Sequence, residues 1–152
     1  DHHDGYTPAL LHRYWGAAFI PATDYIKSLK LQRLVQEDFA RTLQEVDVLV
    51  TPTNPTRAPL IGSHTFPIGG VEHGGAAVGV NMGIRNTHIT NVTGHPSISV
   101  PCGFSNGGLP IGLQLIGRPF EEALLYRVAS LYERVSPSAG KLPLIVEQAA
   151  AQ

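Results

Sequence analysis

The order of elements in the sequence predicts an α/β or α+β domain. Two amphipathic runs, Ile26 to Val46 and Phe120 to Val135, repeat apolar residues at spacings of three and four. Three short runs rich in β-branched residues, at 46–51, 97–100 and 111–116, lie between them. Helical and strand periods together in 152 residues, about one domain's length, place helices against a sheet.

Each element has local reasons. Tyr6, Leu10, Leu11, Tyr14, Trp15 and Phe19 predict a short helix after Pro8. Pro21 to Asp24 reads as the next helix start, with Thr23 capping and Asp24 in the first turn, where a carboxylate complements the helix dipole. Ile26, Leu29, Leu34, Val35, Phe39, Leu43 and Val46 form its apolar stripe. Arg33, Glu37, Arg41 and Glu45 recur every four residues on the solvated side. Val46 to Thr51 reads as a strand that Pro52 ends. From Pro52 to Gly79, repeated Pro and Gly predict a long irregular segment. Met82 to Val92 reads as a helix closed by Gly94 and Pro96. Ser97–Val100 and Ile111–Ile116 read as a hairpin around Asn106-Gly107-Gly108. Pro119 to Glu122 opens the last helix, whose expected buried stripe is Phe120, Leu124, Leu125, Val128, Leu131 and Val135. Residues 136–152 are expected to form a loose tail.

Composition narrows the function. Net charge is −1, so a nucleic-acid partner is not expected. The stretch between Arg85 and Arg118 is uncharged but holds six Gly and three Pro, so it is no membrane helix. One cysteine, Cys102, supports no internal disulfide and fits a reducing compartment, so a cytoplasmic location is expected. Charged residues are 15%, against roughly 25% in ordinary soluble domains. So little charge suggests that further protein covers part of this surface. With a chain beginning at Asp1 rather than Met, it also suggests a piece of something longer.

No self-sufficient active site is legible. His88 and His95 are seven apart, but Gly94 and Pro96 break the helix they would share, and no acidic residue lies between Glu72 and Glu121. Neither a metal site nor a cofactor is therefore expected. Cys102 follows a strand with His95 nearby, yet a lone Cys is more often a small packing residue. The glycines from Gly69 to Gly83 lack the lysine of a phosphate loop, and no G-x-S-x-G elbow occurs. Ser97 and Ser99 alternate with Ile98 and Val100 as one hydroxyl-bearing strand face.

Several ordered motifs together resemble the amidase signature family. Asp47-Val48-Leu49-Val50-Thr51-Pro52-Thr53 with Ala58-Pro59 is similar to its "DvLltPT…AP" strand, and Asn91 to Phe104 to its "N-x-T/A-G-x-P-a-i-S-v-P-c-G-f" segment. Gly108 to Gly117 is similar to its "GLPvGLQlig" strand. Tyr25 to Arg33, Phe120-Glu121-Glu122 and Ala129 with Tyr132-Glu133 fit flanking helices. The match runs over roughly residues 10–135.

The resemblance implies an α/β fold, a mixed β-sheet flanked by helices, with 1–152 as the C-terminal portion of a single amidase domain. Members cleave carboxylic amides with a Ser nucleophile, a second Ser and a Lys. The lysine must be neutral to act as a base, and backbone N–H groups hold the oxyanion. In the family those residues lie upstream of every matched motif, and Lys27, Lys30 and Lys141 sit at surface-like or tail positions. No catalytic residue is assigned here, and the chain alone is expected to be inactive. What it is expected to contribute is substrate binding, through the segment before "N-x-x-G-x-P", with Ile84 and Thr87 as the candidate residues. The expected partners are a small-molecule amide, the missing N-terminal part of the same fold and, in one version, a second copy as a homodimer. The alternatives are a non-catalytic module that pairs with another chain, and a fragment of the amidase-like component of an aminoacyl-tRNA amidotransferase. The latter should bind glutamine's ammonium with an acidic residue in a segment that here has none.

Overall fold

The computed structural model describes residues 5–59, 61–62, 65–74 and 83–141. Helix α1 (Pro8–Ala17) is followed by α2 (Ala22–Glu45), strand β1 (Leu49–Pro52), hairpin β2 (Thr65–Ile68) and β3 (Val71–Gly74), helix α3 (Arg85–Thr93), strands β4 (Ser97–Phe104) and β5 (Pro110–Ile116), and helix α4 (Glu122–Val135). The α/β class holds. The central sheet has the order β1-β5-β4, and every pairing among the described residues is antiparallel.

The strand alternation sets two different faces. Val100 and Leu115 are buried with Leu125 and Ala129 of α4, and Ile98, Leu113, Val128 and Tyr132 pack around them. The opposite face carries Thr51, Gln114 and Ser99 side by side in register. Gln114 is almost fully buried, and Thr51 Oγ1 lies 3.5 Å from its Oε1. One face is thus a hydrophobic core, and the other carries a polar platform at Thr51, Gln114 and Ser99 with the buried Ile116 one pair further along.

Helix α3 sits over that platform. Gly94, at φ 74°, closes it in the left-handed conformation that glycine adopts without strain. Its last carbonyls are capped from outside: Gln32 Nε2 donates to Val92 O (2.7 Å) and Gln36 Nε2 to Thr93 O (3.2 Å). Arg118 ties the end of α2 to the turn before α4. Its Nε donates to Leu43 O (2.7 Å), its Nη2 to Val46 O (3.1 Å), and its Nη1 pairs with Glu121 (3.1 Å).

Several expectations change. Thr23 lies inside α2, Pro21 takes the cap position, and no side chain caps it. Residues 46–48 are not strand, because Arg118 draws the Val46 carbonyl into its own hydrogen bond. The stretch from Pro52 to Gly79 holds the β2–β3 hairpin, turned at Gly69-Gly70 with both φ values positive. In α2, Ile26, Leu29 and Leu34 are exposed, and the docked stripe is Gln32, Gln36, Phe39 and Leu43. Phe120, Leu131 and Val135 are exposed as well; of the expected stripe of α4 Leu125 is buried, and Ala129, outside that stripe, is buried with it. Ser136 and Ser138 are buried, with Ser136 Oγ 3.4 Å from Pro101 O, so the packed chain runs past the expected start of the tail. Residues 142–152 lie outside the described residues.

Candidate functional site

Beyond the end of β1, over the start of β5 and the middle of β4, the polar platform opens into a cleft of about 650 Å³. Its floor is built on Gly112. Thr53 N donates to Gly112 O (2.9 Å), and the hydroxyls of Thr53 and Ser99 meet above the glycine at 2.6 Å. A Cβ at 112 would stand 2.6 Å from Thr53 Oγ1 and 2.8 Å from Ser99 Oγ, so only glycine lets the two hydroxyls pair there.

The rim is the turn from Asn54 to Pro59 on one side and Gly83, just before α3, on the other. Two amides tie the sides together. Asn86 Nδ2 donates to Pro52 O (2.8 Å), fixing the first turn of α3 to the end of β1. Asn54, oriented to satisfy both ends of its amide, donates to Gly83 O (2.5 Å) and Thr53 O (3.1 Å). Arg57 is the charged side chain among the described lining residues. The cleft therefore offers hydroxyls, amides and one guanidinium to a ligand, with apolar walls from prolines and Ile111. Among the described lining residues none is a lysine, histidine or carboxylate that could move a proton.

Ile84 and Thr87, the residues chosen from the sequence, stand next to this cleft rather than in its lining. Ile84 occupies the cap position of α3 and is half-buried. Thr87 Oγ1 donates to Ile84 O (2.9 Å), so its hydroxyl is occupied by its own helix. Met82 falls outside the described residues. Ser97 and Ser99 do share one strand face, as their alternation suggests, and Ser97 Oγ reaches Thr90 Oγ1 at 3.5 Å. Cys102 is half-buried at the irregularity between Pro101 and Gly103 within β4, not at a strand end. His88 is exposed on α3 and His95 is buried beyond its end, so the two do not share a helix face. Among the described residues no cluster of His, Cys, Asp and Glu is placed to hold a metal, and no helix is long and apolar enough to cross a membrane.

Thr53, Asn54, Asn86 and Gly112 do not stand out one by one in the sequence. Thr53 and Gly112 lie within the motif segments, but their pairing joins positions 46 or more residues apart, which no local pattern records.

The family model described as Amidase matches residues 9–126. The chain belongs to the amidase family. It is 42% identical over 113 residues to the A-subunit of the glutamyl-tRNA(Gln) amidotransferase of Thermosynechococcus vestitus, covering 74% of this chain and 22% of that protein. The crystal structure of the corresponding amidotransferase component from Thermotoga maritima superposes with a TM-score of 0.65 at 32% identity, over 89% of this chain and 27% of that one. A bacterial aryl acylamidase of the amidase signature family gives a TM-score of 0.67 at 27% identity, over 94% of this chain and 30% of that one. The chain thus spans between a fifth and a third of the length of these relatives.

Proposed function

We propose that these residues are the C-terminal portion of an amidase, and that they form one wall of its substrate cleft. The complete enzyme hydrolyses a linear carboxylic amide to the acid and ammonia or an amine, in the cytoplasm. A serine attacks the carbonyl carbon, a second serine and a neutral lysine carry its proton to the departing nitrogen, and water then releases the acid. Those three groups belong to the part of the enzyme preceding this chain. The observation that carries this proposal is the cleft itself, whose described lining has binding groups and no nucleophile–base pair. Ile84 and Thr87 shape the end of the cleft through the position they give Gly83, and the Thr53–Ser99 pair presents a hydroxyl to the substrate.

A second reading is favoured by one observation, the 42% identity to a glutamyl-tRNA(Gln) amidotransferase component. In that case the substrate is glutamine, and the protein works with other subunits. Against it stands the lining: Arg57 is charged, and no carboxylate among the described lining residues would meet an ammonium group. A neutral aryl or aliphatic amide suits these walls better.

The test is to express the complete reading frame and, separately, residues 1–152, and to follow ammonia or amine release from a simple arylamide and from glutamine. Arylamide hydrolysis by the complete protein alone is the expected result. Glutamine hydrolysis only with partner subunits present would establish the amidotransferase alternative. Hydrolysis by residues 1–152 would overturn both.

A further inference from the structure

Helix α2 is held to the rest of the molecule along one stripe. Gln32 and Gln36 donate to the last carbonyls of α3, Phe39 packs on the ring of His95 with centroids 5.3 Å apart, and Leu43 is buried. The stripe thus rests on His95 midway along its docked length. His95 is only 7% exposed. Its Nδ1 is buried and has no hydrogen-bond partner among the described residues.

That geometry suits one protonation state. A neutral imidazole with its proton on Nε2 leaves Nδ1 as a bare lone pair. An imidazolium donates from both nitrogens, and the Nδ1 proton would then face no acceptor among the described residues. Among the described residues the surroundings offer no compensation. His95 lines a second cleft, between α2 and the turn before α4; from α2 the groups there are Gln36, Ala40, Leu43 and Gln44, none of them titratable, and α3 contributes Thr93. The turn before α4 contributes Arg118, which has the same sign as an imidazolium. The carboxylates of Glu121 and Asp47 are already paired with that guanidinium, at 3.1 and 3.5 Å. Burial accordingly pushes the His95 imidazole below its ordinary value of 6.5.

We propose that His95 is a pH-sensitive latch for α2: neutral, it seats the docked half of the helix on α3, and protonated, it releases it. The sign follows from linkage. A histidine whose folded pKa is depressed gives its full stabilisation above the unfolded value. As pH falls below 6.5 the released state takes up the proton first, and docking weakens until the docked imidazole also protonates.

Hydrogen exchange of the complete protein tests this, comparing amides of residues 32–45 at pH 7.5 and 5.0 after correction for the intrinsic chemical rate. In the wild type, protection is expected to fall, by at most about thirtyfold, the ratio set by a free imidazole 1.5 units below 6.5. In His95→Leu, which keeps an apolar contact for Phe39 but cannot titrate, the fall is expected to be within about twofold. His95→Gln serves in the same way if the leucine variant does not fold. An equal fall in wild type and variant, or no fall in the wild type, overturns the latch. An NMR titration of the wild-type imidazole provides an independent arm: a pKa at or above 6.5 overturns it whatever the variants do.

Discussion

Gly112→Ala is the sharpest test of how the cleft floor is built. An ideal Cβ there would stand 2.6 Å from Thr53 Oγ1, 2.8 Å from Ser99 Oγ and 3.0 Å from Thr53 Cβ. The two hydroxyls can rotate aside, which breaks their 2.6 Å hydrogen bond at a cost of about 1 kcal/mol. Thr53 Cβ cannot rotate away, because Thr53 N is bonded to Gly112 O at 2.9 Å. The backbone must then shift, and overpacking of this kind costs about 1–3 kcal/mol. The sum is about 3 kcal/mol, or roughly a hundredfold in the local opening equilibrium. Hydrogen exchange of the amides around Thr53, Ser99 and Gly112 reads that equilibrium directly. In a Ser99→Ala background one of the clashing oxygens is gone, so the glycine substitution should cost at least about 0.5 kcal/mol less than in the wild type. Strict additivity of the two substitutions would refute the close approach of the hydroxyls to Gly112.

Further outcomes are expected. Arg118→Ala should lower stability by about 2–4 kcal/mol in denaturant titration, since it removes charge-assisted bonds to Leu43 O and Val46 O at once. Arg33→Ala, which breaks a solvent-exposed pair with Glu37, should cost no more than about 0.5 kcal/mol in the same assay. Gly94→Ala places a side chain at φ 74° and should cost about 1–2 kcal/mol, with Gly94→Asn milder, read as the shift in unfolding midpoint. Residues 1–152 produced alone should bind a hydrophobic dye and lack near-UV circular dichroism, because Tyr14, Trp15, Phe19, Tyr25 and Ile26 are all exposed and β1 and β4 are the edges of the described sheet. A sharp, reversible two-state melt of that monomer would count against this.

Much of the fold is legible in the sequence because its signals are local. The four-residue recurrence of Arg33, Glu37, Arg41 and Glu45 marks a helix, and Asn106-Gly107-Gly108 between two β-branched runs marks a hairpin. The burial of each helix is less legible. Leucine and isoleucine at helical spacing along the first half of α2 look like a core face, yet no described residue of this chain covers them, and the glutamines dock instead. The β2–β3 hairpin is hidden because Pro67 and the flanking glycines outweigh a four-residue strand signal. The amidase family is readable from three ordered motif strands. The cleft is not, because Thr53, Ser99, Asn86 and Gly112 are brought together by strand register and helix docking.

The caps that Gln32 and Gln36 place on the end of α3 also make that short helix depend on α2. Nine residues make a helix too short to persist alone, whereas the 24 residues of α2 can form from local contacts. The glutamine bonds span 60 and 57 residues, so the outer cap of α3 exists only where that long loop is closed. Asn86 in the first turn of α3 is bonded to the end of β1, and Gly83 just before the helix lines the cleft, so the rim of the cleft depends on the same docking of α2.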